Sequence, residues 1–284
     1  MPRLRAFAIL VAFLVVTFGS IPWQLYATHF RLKRRKTFPT RFHRILARLF
    51  GLRVTVIGSP VQDRGVLMVA NHTGYFDILI LSSILRVSFV AKSEVKRWPL
   101  FGILAQLQES VFVERKKRSQ AGEARDQIRE RLRAGDCLVL FPEGTSTDGN
   151  RVLPFKSALM GAAEADIGSD DAGRKRSVPV QPVSIAYVGM HGLPMGRENR
   201  PLYAWYGDME LLPHLWEALV AGPLDVVVQF HQPITADSVG GRKMLAKLAA
   251  EVIRHGQVRA LNGLGSRDGK TGALDGEIAT EAAV

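Results

Sequence analysis

The sequence predicts an α/β domain, a mixed sheet flanked by helices, that follows an N-terminal membrane-anchoring helical segment. Short apolar runs alternate with helical stretches from residue 51 to residue 261, which is typical of such domains. Residues 6–27 carry no charged side chain. We therefore expect a membrane anchor and a basic amphipathic helix in residues 1–50, a folded domain in 51–261, and a disordered tail in 262–284, where the residues are small and polar.

The apolar N-terminal segment is divided by Pro22. Ala6 to Ile21 would span about 24 Å as a helix, which is short of a hydrocarbon core of about 30 Å. The segment therefore either crosses the bilayer together with a kinked continuation or dips into one leaflet. No small-x-small cleavage site precedes the basic residues, which favours an uncleaved anchor over a signal peptide.

The distribution of charge indicates what kind of partner the protein binds and how it is oriented in a membrane. The 284-residue chain has 38 Lys and Arg against 26 Asp and Glu, a formal charge of +12, which suits nucleic acid or an anionic membrane. Arg3 and Arg5 precede the apolar segment, and five basic residues follow it between Arg31 and Lys36. Because this charge flanks the anchor and no nucleic-acid-binding motif occurs, we expect a membrane partner and no nucleic acid. The asymmetry places the domain on the cytoplasmic side of the inner membrane.

An amphipathic helix is expected next. Its apolar face is formed by Phe42, Ile45, Leu46 and Leu49, and Arg41, Arg44 and Arg48 lie largely opposite. This pattern suits a helix in the lipid headgroup region, and equally a helix that covers the protein core. The preceding anchor favours the membrane.

The remaining elements follow in order. The predicted strands are Arg53–Ile57, Val66–Ala70, Ser88–Ala91, Val111–Val113, Cys137–Phe141, Val180–Tyr187 and Asp225–Phe230. The predicted helices are Tyr75–Leu85, Pro99–Gln108, Gln120–Arg133, Ser157–Glu164 and Gly241–Arg259. Cys137 is the single cysteine, so no internal disulfide forms, and its apolar strand predicts a packed thiol.

A candidate catalytic pair follows the strand Val66–Ala70. His72 and Asp77 lie five positions apart, where a strand opens through a turn into a helix. An Asp one turn along the helix can bond one ring nitrogen of the imidazole, which is the base-and-orienter half of a catalytic triad. Without a Ser or Cys to complete the triad, the nucleophile would be a substrate hydroxyl. A surface or capping arrangement is the alternative.

A second motif, Phe141-Pro142-Glu143-Gly144-Thr145, follows a buried strand. Together with Asn71-His72-x4-Asp77 it resembles the first and third motifs of the glycerolipid acyltransferase family, which includes the bacterial 1-acylglycerol-3-phosphate acyltransferases. The resemblance extends over roughly residues 40–235. It implies an α/β fold, His72 as general base, Asp77 as its orienter, and acceptor binding by the residues of the second motif, Glu143, Gly144 and Thr145.

Basic residues are expected near an anionic head group. Arg115 matches the arginine of the family's second motif, which implies glycerol phosphate binding, although a solvated charge is the alternative. Six positions earlier the family usually has Gly, where this chain has Glu109. After Thr145 the family's glycerol-phosphate enzymes commonly have Arg, where this chain has Ser146. Lys156 is a candidate to replace that charge, and Lys92 is a weaker candidate for an anionic group.

The resemblance implies a membrane-bound O-acyltransferase that moves a fatty acyl group from acyl-ACP or acyl-CoA to a lysolipid hydroxyl. Lysophosphatidic acid is the expected acceptor, because it is the commoner one in the family. Lyso-ornithine lipid is the alternative, since the run Ser146-Thr147-Asp148-Gly149 looks like the variant in relatives that acylate it. A lipase or thioesterase and a non-catalytic scaffold are further alternatives.

Backbone N–H groups just after His72 are candidate donors to the oxyanion of the tetrahedral intermediate. The histidines show no metal-ligand spacing, and no dinucleotide or P-loop motif occurs. We therefore expect neither a metal nor a cofactor.

Overall fold

The structure, a computed structural model, describes residues 1–62, 64–114, 118–164, 166–169 and 175–263. Its centre is an eight-stranded mixed sheet in the order β1-β10-β8-β2-β5-β3-β4, with β9 paired to β8 and a separate β6-β7 hairpin beside it. The strands are β1 (Leu52–Ile57), β2 (Val66–Ala70), β3 (Ser88–Lys92), β4 (Val111–Val113), β5 (Cys137–Leu140), β6 (Asp166–Ser169), β7 (Lys175–Ser177), β8 (Val180–Met190), β9 (Leu193–Pro194) and β10 (Leu224–Phe230). The predicted α/β class with a mixed sheet is confirmed.

Helices cover both faces of the sheet. They are α1 (Pro2–His29), α2 (Phe38–Leu49), α3 (Tyr75–Ile84), α4 (Phe101–Leu107), α5 (Arg118–Arg133), α6 (Leu211–Ala221) and α7 (Arg242–Leu261). Helix α6 was not predicted from the sequence, and the predicted helix Ser157–Glu164 is instead a 3-10 turn over Leu159–Glu164. The predicted tail lies outside the described residues from residue 264 onward.

The strand β2 shows why the sheet is buried on both sides. Val66, Met68 and Ala70 belong to one hydrophobic cluster, and Leu67 and Val69 belong to the other. Successive strand residues point to opposite faces, so a strand with helices on both sides needs an uninterrupted apolar run. The uninterrupted apolar run from which β2 was predicted is therefore a consequence of the strand's central position in the sheet.

The strand order places the site. β2, β5, β3 and β4 are neighbours, and each adjacent pair is parallel. Because parallel strands end at the same edge of a sheet, the segments that follow them converge there. Ligands bind in α/β sheets at this edge. The two motifs, 70 residues apart in the chain, therefore meet at the carboxyl ends of β2 and β5.

The N-terminal segment is one helix of 28 residues that continues through Pro22. Pro22 therefore does not separate two helices, and the segment continues beyond it, as one of the two expected forms requires: the missing proline N–H removes one hydrogen bond, and the flanking turns carry the helix across it. At about 1.5 Å per residue the helix is about 42 Å long. It is long and apolar enough to cross a membrane, and most of its surface is exposed.

The amphipathic helix α2 packs on the protein. Phe42 and Leu46 are buried in the same hydrophobic cluster as Phe13 of α1 and the sheet, whereas Ile45 is half exposed. For Phe42 and Leu46, the core-covering role left open by the sequence is the one observed. The helices of residues 1–50 thus share a hydrophobic core with the sheet.

Part of the basic cluster after α1 also faces the protein. Arg35 Nε lies 2.8 Å from Glu109 Oε1, and Lys36 Nζ lies 2.8 Å from Asp136 Oδ1. Arg131 Nε donates to the second oxygen of Asp136 at 2.5 Å. These ion pairs tie the segment that follows the apolar helix to the domain. α5 and the sheet therefore lie on the same side of that end of the helix.

The backbone conformation at Glu109 accounts for the Gly that the family usually has at this position. Its φ is +56°, in the left-handed region that costs a residue with a Cβ about 1–2 kcal/mol. Its carboxylate lies between Arg35 and Arg131. The ion pairs offset a backbone conformation that glycine adopts without strain.

Cys137 begins β5 and is partly buried against the core. Burial raises the pKa of its thiol to about 12, so the thiol stays protonated at neutral pH. This agrees with the packed thiol predicted from the sequence and gives no nucleophile.

Candidate active site

The candidate base and its orienter are in contact. His72 Nδ1 donates to Asp77 Oδ2 at 2.9 Å, with His72 in the loop after β2 and Asp77 in the first turn of α3. Asp77 is fully buried, whereas the imidazole lies at a cleft. Because Nδ1 carries the proton shared with Asp77, Nε2 is the nitrogen left with a lone pair for a substrate hydroxyl.

Asp77 is held by four hydrogen bonds. Oδ2 also accepts from the backbone N–H groups of Thr73 (2.6 Å) and Gly74 (3.0 Å), and Oδ1 accepts from the hydroxyl of Tyr187 (2.8 Å). Burial and the Asp77 carboxylate raise the pKa of Tyr187 well above its ordinary value, so its hydroxyl remains a donor. The start of a helix also favours a negative charge. The carboxylate is thereby fixed toward the imidazole.

These bonds correct one expectation. The N–H groups of Thr73 and Gly74 were candidate oxyanion donors, but both are engaged by Asp77 Oδ2. They position the orienter of the base instead. Tyr187 was not predicted as a site residue. The one indication in the sequence was its hydroxyl, a polar group at the end of a strand predicted to be buried.

The loop that carries His72 is anchored on both sides. Asn71 exchanges two hydrogen bonds of 2.8 Å with the backbone of Ile185 in β8, which explains the asparagine before the histidine. On the other side Trp205 N donates to Thr73 O at 3.0 Å. A Cβ at Gly74 would lie 2.9 Å from Trp205 N, so this close approach requires glycine. The loop is held rigid while the imidazole faces the cleft.

Two residues of the second motif, Phe141 and Glu143, contact His72. The ring of Phe141 stacks on the imidazole with centroids 4.0 Å apart. Glu143 Oε1 accepts from His72 N at 2.7 Å and Oε2 accepts from Leu153 N at 2.8 Å. Burial raises the pKa of Glu143 to about 7, and the two N–H donors limit the rise. Glu143 is 2% exposed and is not among the residues that line the cleft, and its carboxylate holds the two motif loops together; its expected role in acceptor binding stays a prediction.

Gly144, Thr145 and Ser146 do line the cleft. Gly144 has φ +78°, a conformation that favours glycine and turns the chain toward the opening. Ser146 Oγ donates to Trp205 O at 2.5 Å, which ties this loop to the segment before α6. The part of the motif after Glu143 is therefore the part within reach of a substrate.

The cleft has a volume of about 330 Å³ and a mixed lining. His72 and the loop after Gly144 belong to the polar, partly exposed part of this lining, which we call the mouth. Its interior is apolar and includes Phe13 of α1, Phe42 and Leu46 of α2, Ile78 and Leu79 of α3, Phe89 of β3, and Phe101 and Leu104 of α4. His43 also lines it, and burial lowers the pKa of this imidazole to about 4, so it is neutral. A hydrocarbon chain fits the interior while its polar end remains at His72.

The basic candidates differ in position. Lys92 ends β3 and lines the cleft. Lys156 is exposed and does not line it; its backbone N–H bonds Pro142 O at 2.9 Å. Arg115 lies outside the described residues. Glu94, two residues after Lys92, also lines the cleft and was missed from the sequence, where it is one charge in a polar turn.

The arrangement suits acyl transfer. His72 Nε2 takes the proton of an acceptor hydroxyl as its oxygen attacks a thioester carbonyl. When the tetrahedral intermediate collapses, the C–S bond breaks and the thiolate takes the proton back from the imidazolium, which Asp77 stabilises meanwhile. Within the described ranges, no three His, Cys, Asp or Glu side chains are grouped to hold a metal ion.

Known proteins match this chain in sequence and fold. A family model described as Acyltransferase matches residues 53–186. The lyso-ornithine lipid O-acyltransferase of Brucella abortus is 45% identical over 251 residues, 88% of this chain and 93% of that protein. The protein of the same name from Rhizobium meliloti is 45% identical over 84% of this chain and 81% of its own.

Two further matches carry a different name. The 1-acyl-sn-glycerol-3-phosphate acyltransferase of Neisseria gonorrhoeae is 34% identical over 61% of each chain. The crystal structure of the 1-acyl-sn-glycerophosphate (LPA) acyltransferase PlsC from Thermotoga maritima superposes with a TM-score of 0.65 at 24% identity, covering 94% of this chain and 99% of that one, which shows a shared fold. The family resemblance seen in the motifs is confirmed: the chain belongs to the acyltransferase family.

Proposed function

We propose that this acyltransferase moves a fatty acyl group from acyl-ACP or acyl-CoA to the hydroxyl of a lysolipid, with lyso-ornithine lipid as the acceptor. The observation that carries the proposal is the position of His72, oriented by a buried Asp77, at the mouth of an apolar cleft. General base catalysis of this kind contributes about 10²–10⁴-fold in rate. The apolar interior supplies a place for the fatty chain.

The choice of acceptor is supported by two observations. The relatives from Brucella abortus and Rhizobium meliloti, named for lyso-ornithine lipid, match over most of their lengths. Ser146 stands at the cleft where the glycerol-phosphate enzymes commonly have Arg. An arginine fork is the usual partner of a phosphate. These observations reverse the expected order of the two acceptors, which had followed from lysophosphatidic acid being the commoner acceptor in the family.

Lysophosphatidic acid is the second candidate acceptor, since the Neisseria gonorrhoeae relative is named for that reaction. A serine hydrolase is disfavoured, because the Ser146 hydroxyl donates to Trp205 O and, among the described residues, no serine hydroxyl is hydrogen-bonded to His72. The decisive experiment uses the purified full-length protein in detergent with labelled acyl-ACP or acyl-CoA, and either lysolipid. Transfer to lyso-ornithine lipid is expected, while transfer to lysophosphatidic acid alone would overturn the acceptor assignment.

Two histidine variants complete the experiment. His72→Ala should lose transfer by about 10²-fold or more, whereas His255→Ala, at an exposed position of α7, should retain it. Equal activity of both variants would overturn the role of His72. Thioester hydrolysis without an acceptor, at the rate of transfer, would indicate a hydrolase.

We also propose that the enzyme sits in the inner membrane through α1 with its cleft on the cytoplasmic side. The support is the excess of basic residues after α1 and the ion pairs that hold Arg35 and Lys36 against the domain. Protease added to spheroplasts should leave the domain intact, and protease added to inverted vesicles should digest it. Digestion in spheroplasts would refute the orientation.

A further inference from the structure

Among the residues that the structure describes, the cleft mouth carries one lysine and one carboxylate. Apart from histidines and tyrosines, the ionisable side chains among its described lining residues are Lys92 and Glu94. This neutrality contrasts with the chain as a whole, which has a formal charge of +12. A carboxylate at this position disfavours a phosphate monoester, which carries only negative charge.

The two residues are close along the chain and exposed. Lys92 ends β3, and Glu94 lies in the 3-10 turn Ser93–Arg97 that follows. Ser93 Oγ lies 3.2 Å from Glu94 Oε2 and 2.9 Å from Glu114 Oε2. In the part of the chain that the structure describes, neither Lys92 nor Glu94 has an ion-pair partner within 4.0 Å, each other included. Both charges are open to a ligand.

The strand order puts this pair at the same sheet edge as the base, two strands away. β3 is parallel to β5, and β5 is parallel to β2, so Lys92 and Glu94 follow the same sheet edge as His72. All three line one cleft. A head group next to the reacting hydroxyl would therefore lie at Lys92 and Glu94 while its fatty chain occupies the apolar interior.

We propose that Glu94 binds the ammonium of a zwitterionic acceptor head group and Lys92 binds its carboxylate. An ornithine attached to a fatty chain through one of its two amines keeps one ammonium and one carboxylate. This is the charge pair that the cleft mouth complements. The inference rests on the proposed function, because it assigns the residues that select lyso-ornithine lipid. Glu94 also repels a phosphate and thereby acts against the competing acceptor.

The test pairs protein variants with altered head groups. The wild-type protein, Glu94→Gln and Glu217→Gln, an exposed control on α6, are assayed for kcat/KM with lyso-ornithine lipid and with the same lipid acetylated on its free amine. A charged hydrogen bond at an exposed site predicts a loss of about 10-fold for Glu94→Gln and none for Glu217→Gln. Acetylation should cost the wild type about the same factor and Glu94→Gln nothing further.

A reversal of charge gives the complementary readout. Glu94→Lys should raise kcat/KM for lysophosphatidic acid relative to lyso-ornithine lipid by about 10-fold or more, because it places a second cation at the cleft mouth. Lys92→Met should weaken both acceptors, since each is anionic at one group.

The outcomes separate the two proposals. If the wild type does not acylate lyso-ornithine lipid, the proposed acceptor is wrong. If it does, but Glu94→Gln and amine acetylation leave kcat/KM within twofold, the role of Glu94 is refuted while the function stands. Equal losses from acetylation in the wild type and in Glu94→Gln would also refute it, because the ammonium would then be bound elsewhere.

Discussion

Replacing Asp77 by Asn tests the base-and-orienter pair most directly. The change keeps the size of the side chain and can keep the bonds to His72, Thr73 and Gly74 through the amide oxygen, while Tyr187 accepts from the amide nitrogen. What it removes is the negative charge next to the imidazolium that forms during transfer. The fold should remain stable, whereas the rate of the chemical step should fall.

The magnitude follows from the distance between the pair. His72 Nδ1 lies 2.9 Å from Asp77 Oδ2, which places the charge centres about 4 Å apart. Two unit charges at about 4 Å interact by about 4 kcal/mol at an effective dielectric of about 20. At about 1.36 kcal/mol per factor of ten, kcat should fall by about 10³-fold.

The assay is kcat for acyl transfer at saturating donor and acceptor, with thermal unfolding measured on the same samples. Asp126→Asn, on the exposed side of α5, is the matched control and should retain wild-type kcat. A kcat for Asp77→Asn within threefold of wild type, with an unchanged melting temperature, would refute the role assigned to the carboxylate.

Three further changes test other parts of the site. Burial raises the pKa of Glu143 to about 7 from 4.5, so between these values the unfolded chain releases a proton that the folded chain keeps, and stability falls as pH rises through that window. Glu143→Gln should remove this pH dependence, which changes the free energy of unfolding by at most about 3 kcal/mol. Thermal unfolding measured from pH 4.5 to 7.5 tests this, and an unchanged pH dependence in the variant would assign it to another group. Gly144→Ala, at φ +78°, should lower the free energy of unfolding by about 1–2 kcal/mol and reduce kcat, and denaturant unfolding that shows no loss would refute the strain. Ile78→Trp should narrow the cleft and lower kcat/KM for long acyl groups relative to short ones by about tenfold, whereas Ile103→Trp, on the exposed side of α4, should not; an unchanged preference would place the fatty chain elsewhere.

The sequence predicted the local part of the fold well. Apolar runs such as Val66–Ala70 identified the strands because a strand buried on both faces must be apolar throughout. The helix α6 escaped detection because Pro213 and His214 interrupt an apolar stretch that follows a polar loop. Pro22 left two forms of the N-terminal segment open, and the helix continues through it because one lost hydrogen bond does not end a long apolar helix.

The candidate site was predictable where a motif carries it and not where contacts are distant in the chain. His72 and Asp77 lie five residues apart, and one helical turn brings them together. The bond from Tyr187 to Asp77 joins residues 110 positions apart, which only the strand pairing reveals. The motif identified Glu143, but its bonds to the backbone of His72 and Leu153 depend on the meeting of loops that are distant in the chain.

The wall that α1 and α2 contribute to the cleft bears on how the enzyme can be produced. Phe13, Phe42 and Leu46 belong both to the main hydrophobic cluster and to the cleft lining. Arg5, near the start of α1, donates to the carbonyls of Leu219 and Val220 at the end of α6. A shortened protein that begins at residue 51 would open the cleft and expose core side chains to water. Detergent or nanodisc preparations of the intact chain are therefore the form in which its acyl-chain selectivity can be measured.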